Sequence, residues 1–331
     1  MQLGVGGFES DLESFGFTEP AVGTGLADVI AEVLDDLDRS GSPAWVDLEN
    51  GAADGCFSEL QEPASPSAHG NLSLGPGVGD VGQHWDHHRV RGTDELINVD
   101  DPAWPELQEL FAASTVPIKV LPADRGESRR CLLQMQVTAR SVLGAVALNS
   151  GGLVLDDGWV RVFGGGSGED DGSLPSLAQV NAFPADFDPA WHPAKGLVVG
   201  HDVLGGVFAL NGHDPEVAGR PGVPGQMTYF ASDTLEWEAM EMGHSVWISW
   251  MLSGRLEKFY EGLRWAGWRE EAASLSFSQG ISVIPFLWSQ EAQADLAATS
   301  RRAVPMREVL GVAADFAQQM GPVDPGFFGA V

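Results

Sequence analysis

GLVVGHDVLGGVFALNG (residues 196–212) and MTYFASDTLEWEAM (residues 227–240) decide the fold class of this chain. Short apolar runs rich in Val, Leu and Phe are broken by clusters of Gly, Pro and Asp, which is the punctuation of strands rather than of helices. The pattern predicts strands at 196–199, 206–210, 227–230 and 235–240. Upstream, LVLDDGWVRVF (residues 153–163) sets Asp157-Gly158 between two apolar runs, the favoured two-residue hairpin turn. A loop of glycines and acids, GGGSGEDDG (residues 164–172), closes that hairpin.

Helical periodicity takes over on both sides of the strand block. Asp101 before Pro102 reads as an N-cap with proline at the first helical position, where a missing N–H costs nothing. Trp104, Leu107, Leu110 and Phe111 then share one face. A short strand follows at 116–121, and 125–148 reads as helix with a break near Ser141. Asn149-Ser150-Gly151-Gly152 ends it, because glycine takes the left-handed conformation that terminates helices. Beyond the block, 245–252, 256–263 and 268–275 read as helices, 280–286 as a strand and 304–320 as a final helix. Strands grouped together and flanked by helices define an α+β domain with a central, mostly antiparallel sheet. Trp247 with Trp250, and Trp265 with Trp268, each three residues apart, are assigned to the cover of that sheet rather than to an exposed partner surface.

Across its 331 residues the chain carries 47 Asp and Glu against 18 Lys and Arg, a net charge of −29. Such a chain repels phosphate backbones and anionic headgroups within a Debye length of roughly 8 Å and attracts basic partners. This argues against direct binding to nucleic acid or to a membrane. No run approaches the roughly 18 apolar residues of a membrane span, and no basic residue precedes an apolar run at the start. Two cysteines, Cys56 and Cys131, match no paired or metal-binding pattern. These features together predict a cytoplasmic protein. The charge is uneven: residues 1–92 hold 16 acidic and 3 basic side chains, and residues 93–331 hold 31 and 15. Nine of the eleven tryptophans follow that seam. Residues 1–92 therefore read as a largely disordered acidic extension, or a misassigned upstream start, with one amphipathic helix near 25–39 and a Pro/Gly/Ser-rich linker at 63–82. Residues 93–331 read as a single domain.

Catalytic spacing is missing from the chain's glycine, histidine and carboxylate motifs. Ser167 lacks the second glycine of a nucleophile elbow, because position 169 is Glu, and the same residue breaks the phosphate-cradling pattern. His84 and His88 would share a helix face and reach one metal, yet the flanking glycine-rich linker offers nothing to orient them, so no metal or other cofactor is expected. His201-Asp202 and His213-Asp214 join imidazole to carboxylate, as a general base would, but both read as turns in which Asp bonds the backbone. Glu236 and Glu238 flank Trp237 and resemble a carboxylate pair; the plainer reading is the solvated face of a half-buried strand. Cys131 has Arg129 and Arg130 beside it, and its apolar helical neighbours point to an inert buried thiol.

Several phrases combine into a resemblance. LLQMQVTARSVLGAVALNSGGLVLDDGWVRVFGGG, VVGHDVLGGVFALNG, TYFASDTLEWEAMEMGHSVWISWMLSGRLEKFYEGLRWAGW and QGISVIPFLWS closely resemble, in order, the bacterial family of domain of unknown function 2625. The resemblance begins at Thr93-Asp94-Glu95-Leu96-Ile97-Asn98 and runs to about Arg307. More loosely, Asn149-Ser150-Gly151-Gly152, the hairpin ending in Arg161-Val162-Phe163-Gly164, the Gly205-Gly206 strand, Thr228-Tyr229-Phe230 and the helix from Trp247 to Leu252 resemble the SUKH superfamily. That resemblance implies a SUKH-like α+β fold and, among bacterial members, immunity proteins that neutralise toxins, many of them nucleases. It implies no catalytic residues. The acidic extension and an insertion at about 169–195 depart from the pattern.

The sequence thus points to a non-enzymatic interaction module of immunity type, binding a basic, nuclease-like toxin through the loop acids Asp156, Asp157, Glu169, Asp170 and Asp171. The alternative is a small-molecule enzyme or a ligand-binding housekeeping protein with a pocket near His201, Asp202, Glu236 and Glu238.

Overall fold

The computed structural model describes residues 90–167, 174–189, 191, 193, 196–321 and 324–331. The helix near 25–39, the linker at 63–82, the His84–His88 cluster and the acids Glu169, Asp170 and Asp171 lie outside the described residues.

Helices α1 (Thr93–Ile97) and α2 (Trp104–Ala113) lead into strand β1 (Ile118–Leu121). Helices α3 (Arg125–Met135) and α4 (Val142–Asn149) separate β1 from β2 (Gly152–Leu155) and β3 (Val160–Phe163). Helix α5 (Leu177–Val180) precedes the strand block β4 (Gly196–Asp202), β5 (Val207–Asn211), β6 (Met227–Ala231) and β7 (Glu236–Ala239). Then come α6 (His244–Leu252), α7 (Leu256–Phe259) and α8 (Trp268–Ser274), the hairpin of β8 (Gln279–Ile284) and β9 (Ser300–Pro305) around α9 (Gln290–Ala294), and α10 (Met306–Met320). Strands β1 to β7 form one sheet in chain order, each antiparallel to the next, and β8 pairs with β9 in a second. The architecture is α+β, an antiparallel sheet flanked by helices.

Local chemistry accounts for the helix boundaries between β1 and β2. The Asp124 side chain accepts from the Gly126 and Glu127 amides, both at 2.9 Å, and starts α3. Gln136, with φ 55°, ends it, and Ser141 Oγ accepts the Gly144 amide at 3.0 Å to start α4. The expected break at Ser141 is thus a helix cap. A β-carbon at Gly165 would fall on the Ala147 carbonyl and Ser128 Oγ, and one at Gly164 on the Ser150 carbonyl. The glycine run after β3 is therefore a close backbone crossing over α3 and α4.

Because side chains alternate along a strand, the sheet has two distinct faces. Register places Val160, Asp202, Phe208, Tyr229 and Glu238 on one, and Arg161, His201, Val207, Phe230 and Trp237 on the other. Helices α6 and α7 cover the first face: Trp247 packs on Phe208 at 5.1 Å and Phe259 on Tyr229 at 4.9 Å between ring centroids. The C-terminal segment covers the second, with Phe328 on Phe230 at 4.4 Å. At one end of the core, fully buried Trp159 touches Tyr260, Trp265 and Trp268 at 5.5, 5.7 and 5.0 Å. Trp247, Trp250, Trp265 and Trp268 are all buried, so both tryptophan pairs belong to the core.

Five expectations need correction. Helix α2 starts two residues late: Asp101 adopts φ 53°, Ala103 is the N-cap and Pro105, not Pro102, sits in the first turn. The β2–β3 connection spans 156–159 instead of a two-residue turn, because Leu155 pairs with Val160 while Trp159 enters the core. His201 and Asp202 are not in a turn but end β4, both buried. Residues 300–305 form a strand, so the last helix begins at Met306, and the helix after Leu256 stops at Phe259.

Candidate functional site

Strand β4 ends in two neighbours that face opposite ways. Asp202 Oδ1 accepts the Leu204 and Gly206 amides at 2.8 and 2.9 Å, which closes the turn into β5. Its Oδ2 accepts the phenols of Tyr229 at 2.7 Å and Tyr260 at 3.1 Å. The chain contains two tyrosines, and both donate to this one carboxylate. Burial pushes the Asp202 carboxyl above its ordinary range, while these donors pull it back. Burial, and then the charge of Asp202, raises both phenols well above the usual tyrosine range, so they stay protonated as donors. A β-carbon at Gly206 would collide with Asp202 Oδ2 and the Tyr229 hydroxyl, which explains the glycine.

His201 lies on the other face. Its Nε2 is 2.8 Å from the Phe328 carbonyl, and its ring meets Phe163 edge-on at 5.1 Å. Burial holds its pKa down to about 4, so the ring is neutral near pH 7 and Nε2–H is the assigned tautomer that donates to the carbonyl. Cross-strand from His201 stands buried Arg161, which donates through Nη1 to the carbonyls of Phe277 and Gln279 and lies over the Phe277 ring. Burial lowers this guanidinium to about 10, which leaves it charged. The pocket expected from His201, Asp202, Glu236 and Glu238 is therefore not one site: the sheet separates the imidazole from Asp202, and the two glutamates lie out on edge strand β7.

The turn acids have unlike fates. Asp156 is buried and ion-paired with Arg264, whose guanidinium also stacks over Trp268 at 4.0 Å, Trp159 at 4.9 Å and Tyr260 at 5.0 Å. Asp157, with φ 55°, points outward and pairs with exposed Arg269 at 3.4 Å. Nearby, Arg301 stacks on Trp265 at 4.6 Å and pairs with Glu271 at 3.7 Å, and Glu271 accepts the Trp265 indole N–H at 2.9 Å. Arginine and tryptophan thus alternate around this end of the core.

Edge strand β7 shows a different electrostatic pattern. Partial burial raises the Glu238 carboxyl, and the negative charges of Asp233 and Glu236 raise it further. Burial raises Asp233 as well. This crowding of three acids on a sheet edge was legible only in part, because Asp233 sits in the β6–β7 turn and joins the glutamates through the fold. Among the described residues, no group of three His, Cys, Asp or Glu could hold a metal. No helix among them is long and apolar enough to cross a membrane.

The fold and these contacts define an acidic α+β domain whose interior charges are engaged in structural bonds and whose carboxylates crowd at one sheet edge. The chain belongs to the family described as "Protein of unknown function DUF2625", which matches residues 93–309. It is 37% identical over 207 residues to YbfG of Escherichia coli (strain K12), covering 62% of this chain and 89% of that one. It is 30% identical over 195 residues to an uncharacterized protein of Haemophilus influenzae, covering 59% and 81% respectively. No solved structure matches.

Proposed function

We propose that residues 93–331 form a non-enzymatic protein-interaction module of immunity type, which binds and neutralises a basic, nuclease-like toxin. The carrying observation is the crowding of Asp233, Glu236 and Glu238 at the β7 edge, within a segment holding 31 acidic and 15 basic side chains. Carboxylates held close together repel one another, and a cationic partner relieves that repulsion. A nuclease is basic because it holds phosphates, so it presents the complementary potential. Asp157, Glu169, Asp170 and Asp171 are proposed as secondary contributors, whereas Asp156, buried against Arg264, has no surface to offer. The likeness to SUKH proteins supports the same reading.

The test uses the gene adjacent to this one. If it encodes a toxin with a basic C-terminal domain, co-expression of this chain should restore growth. Charge neutralisation by Asp233→Asn, Glu236→Gln and Glu238→Gln together should slow association by about tenfold or more at low salt, with little change in Tm. Failure of the wild-type chain to rescue growth, or an association rate indifferent to both salt and the triple substitution, would overturn the reading.

A further inference from the structure

The last eight residues, Asp324 to Val331 (DPGFFGAV), lie across the sheet face opposite Asp202, and the manner of their attachment is that of a bound peptide. Hydrogen bonds among the described residues hold the segment by its main chain. The Trp237 indole donates to the Pro325 carbonyl at 2.9 Å, and His201 Nε2 to the Phe328 carbonyl at 2.8 Å. Arg220 Nη2 donates to the Phe327 carbonyl at 3.4 Å, while the Ala330 amide donates to the Val180 carbonyl at 2.8 Å. Main-chain bonds supply affinity without demanding a sequence, and side-chain pockets supply the selectivity. Here Phe328 is the anchor: 5% exposed, it packs between Phe230 at 4.4 Å and Trp237 at 6.0 Å. Its neighbour Phe327 faces outward, 41% exposed. Gly329 has φ 99°, and a β-carbon there would press on Val180 Cγ1 at 2.9 Å, so the groove selects glycine after the anchor.

Groove and occupant also differ in where they lie relative to the family. His201, Arg220, Phe230 and Trp237 all fall within the matched residues 93–309, whereas the segment that fills the groove follows them. We propose that this face of β4 to β7 is a binding groove for a peptide carrying Pro, then Phe three residues later, then Gly, and that the C-terminal segment occupies it in cis until a partner segment of that chemistry displaces it. The proposal does not rest on the toxin reading, because these contacts reach the main chain and the Phe328 ring of the segment, and its affinity should depend only weakly on salt.

The test replaces residues 321–323 with a protease site in the full chain, folds the protein, cuts it, and follows exchange of the retained tail against fluorescent DPGFFGAV by anisotropy. Cut protein should bind the labelled peptide reversibly, and uncut protein on the order of 100-fold more weakly, because a tethered competitor acts at millimolar effective concentration. A Phe328→Ala peptide should bind at least tenfold worse, a Phe327→Ala peptide within twofold of the original, and raising salt tenfold should change little. The proposal is overturned if the Phe328→Ala peptide binds as well as the original, or if the cut tail never exchanges. In full-length Phe328→Ala, hydrogen exchange should quicken at the Ala330 amide and leave β4 to β6 protected. A collapse of protection everywhere would show that the segment is integral core, and would equally overturn it.

Discussion

At the scale of single residues, Asp202 organises the first sheet face. An amide in its place accepts fewer bonds and sets an N–H against existing donors, so Asp202→Asn should cost about 3 kcal/mol or more, and lower Tm by roughly 10 °C in a domain of this size. Tyr260→Phe removes one donor to that carboxylate and should cost about 1.5 kcal/mol. Thermal denaturation of the two variants checks both figures and their order. His244 offers a cleaner titration: it is buried, its Nε2 lacks a hydrogen-bond partner, and burial holds its pKa down to about 4. The unfolded chain protonates this ring near pH 6.5 and the folded chain does not, so the stability it contributes is full above pH 6.5 and is lost as pH falls toward 4. Between pH 6.5 and 5 that loss is about 2 kcal/mol, and His244→Phe should remove it from a series of urea melts. Asp202, Asp233 and Glu238, all raised, act in the opposite sense by taking up protons more readily when folded, so the variant comparison is the informative measurement. Cys131, pushed up to about 12 by burial, should resist alkylation at pH 8 until the protein is denatured.

At the scale of elements, the β8–β9 hairpin is fastened to the main sheet by a few polar links. The Ile281 amide donates to the Val203 carbonyl at 2.7 Å, and Arg161 reaches the carbonyls of Phe277 and Gln279. Arg161→Met keeps much of the packing and removes the second link. It should leave amides of β4 and β5 protected while those of 279–284 exchange at least tenfold faster, as native-state hydrogen exchange would report. The strand block of 196–240 was legible because each run carries its own apolar residues and its own breakers, and these act locally. Strand β9 was not legible. Its sequence SRRAVP is largely exposed and lacks alternation, and it is a strand because β8 lies beside it from Gln279↔Pro305 to Ile284↔Ser300. The β2–β3 connection misled for a related reason: Asp-Gly is a turn signal, but the turn lengthened to carry Trp159 into the aromatic core.

At the scale of the whole molecule, the net charge of −29 divides into −13 on residues 1–92 and −16 on residues 93–331. Removing residues 1–89 should therefore leave the thermal unfolding transition of the remaining domain within about 2 °C, since the family match begins at residue 93 and the described residues after it build a core of their own. Differential scanning calorimetry of the two chains checks this. The sequence by itself determined the fold class, the family and the burial of the two tryptophan pairs, because hydrophobic period, turn residues and composition are properties of contiguous chain. Only the tertiary structure decided which charged groups are available. Asp156 and Asp157 are the same residue one position apart, yet one is sealed under Arg264 and the other is half-buried and pairs with exposed Arg269. Asp202 gains its phenols from 27 and 58 positions away, and His201 its carbonyl from 127 away. Whether a charge is engaged depends on partners brought from distant chain by packing, and that information is not carried by local pattern.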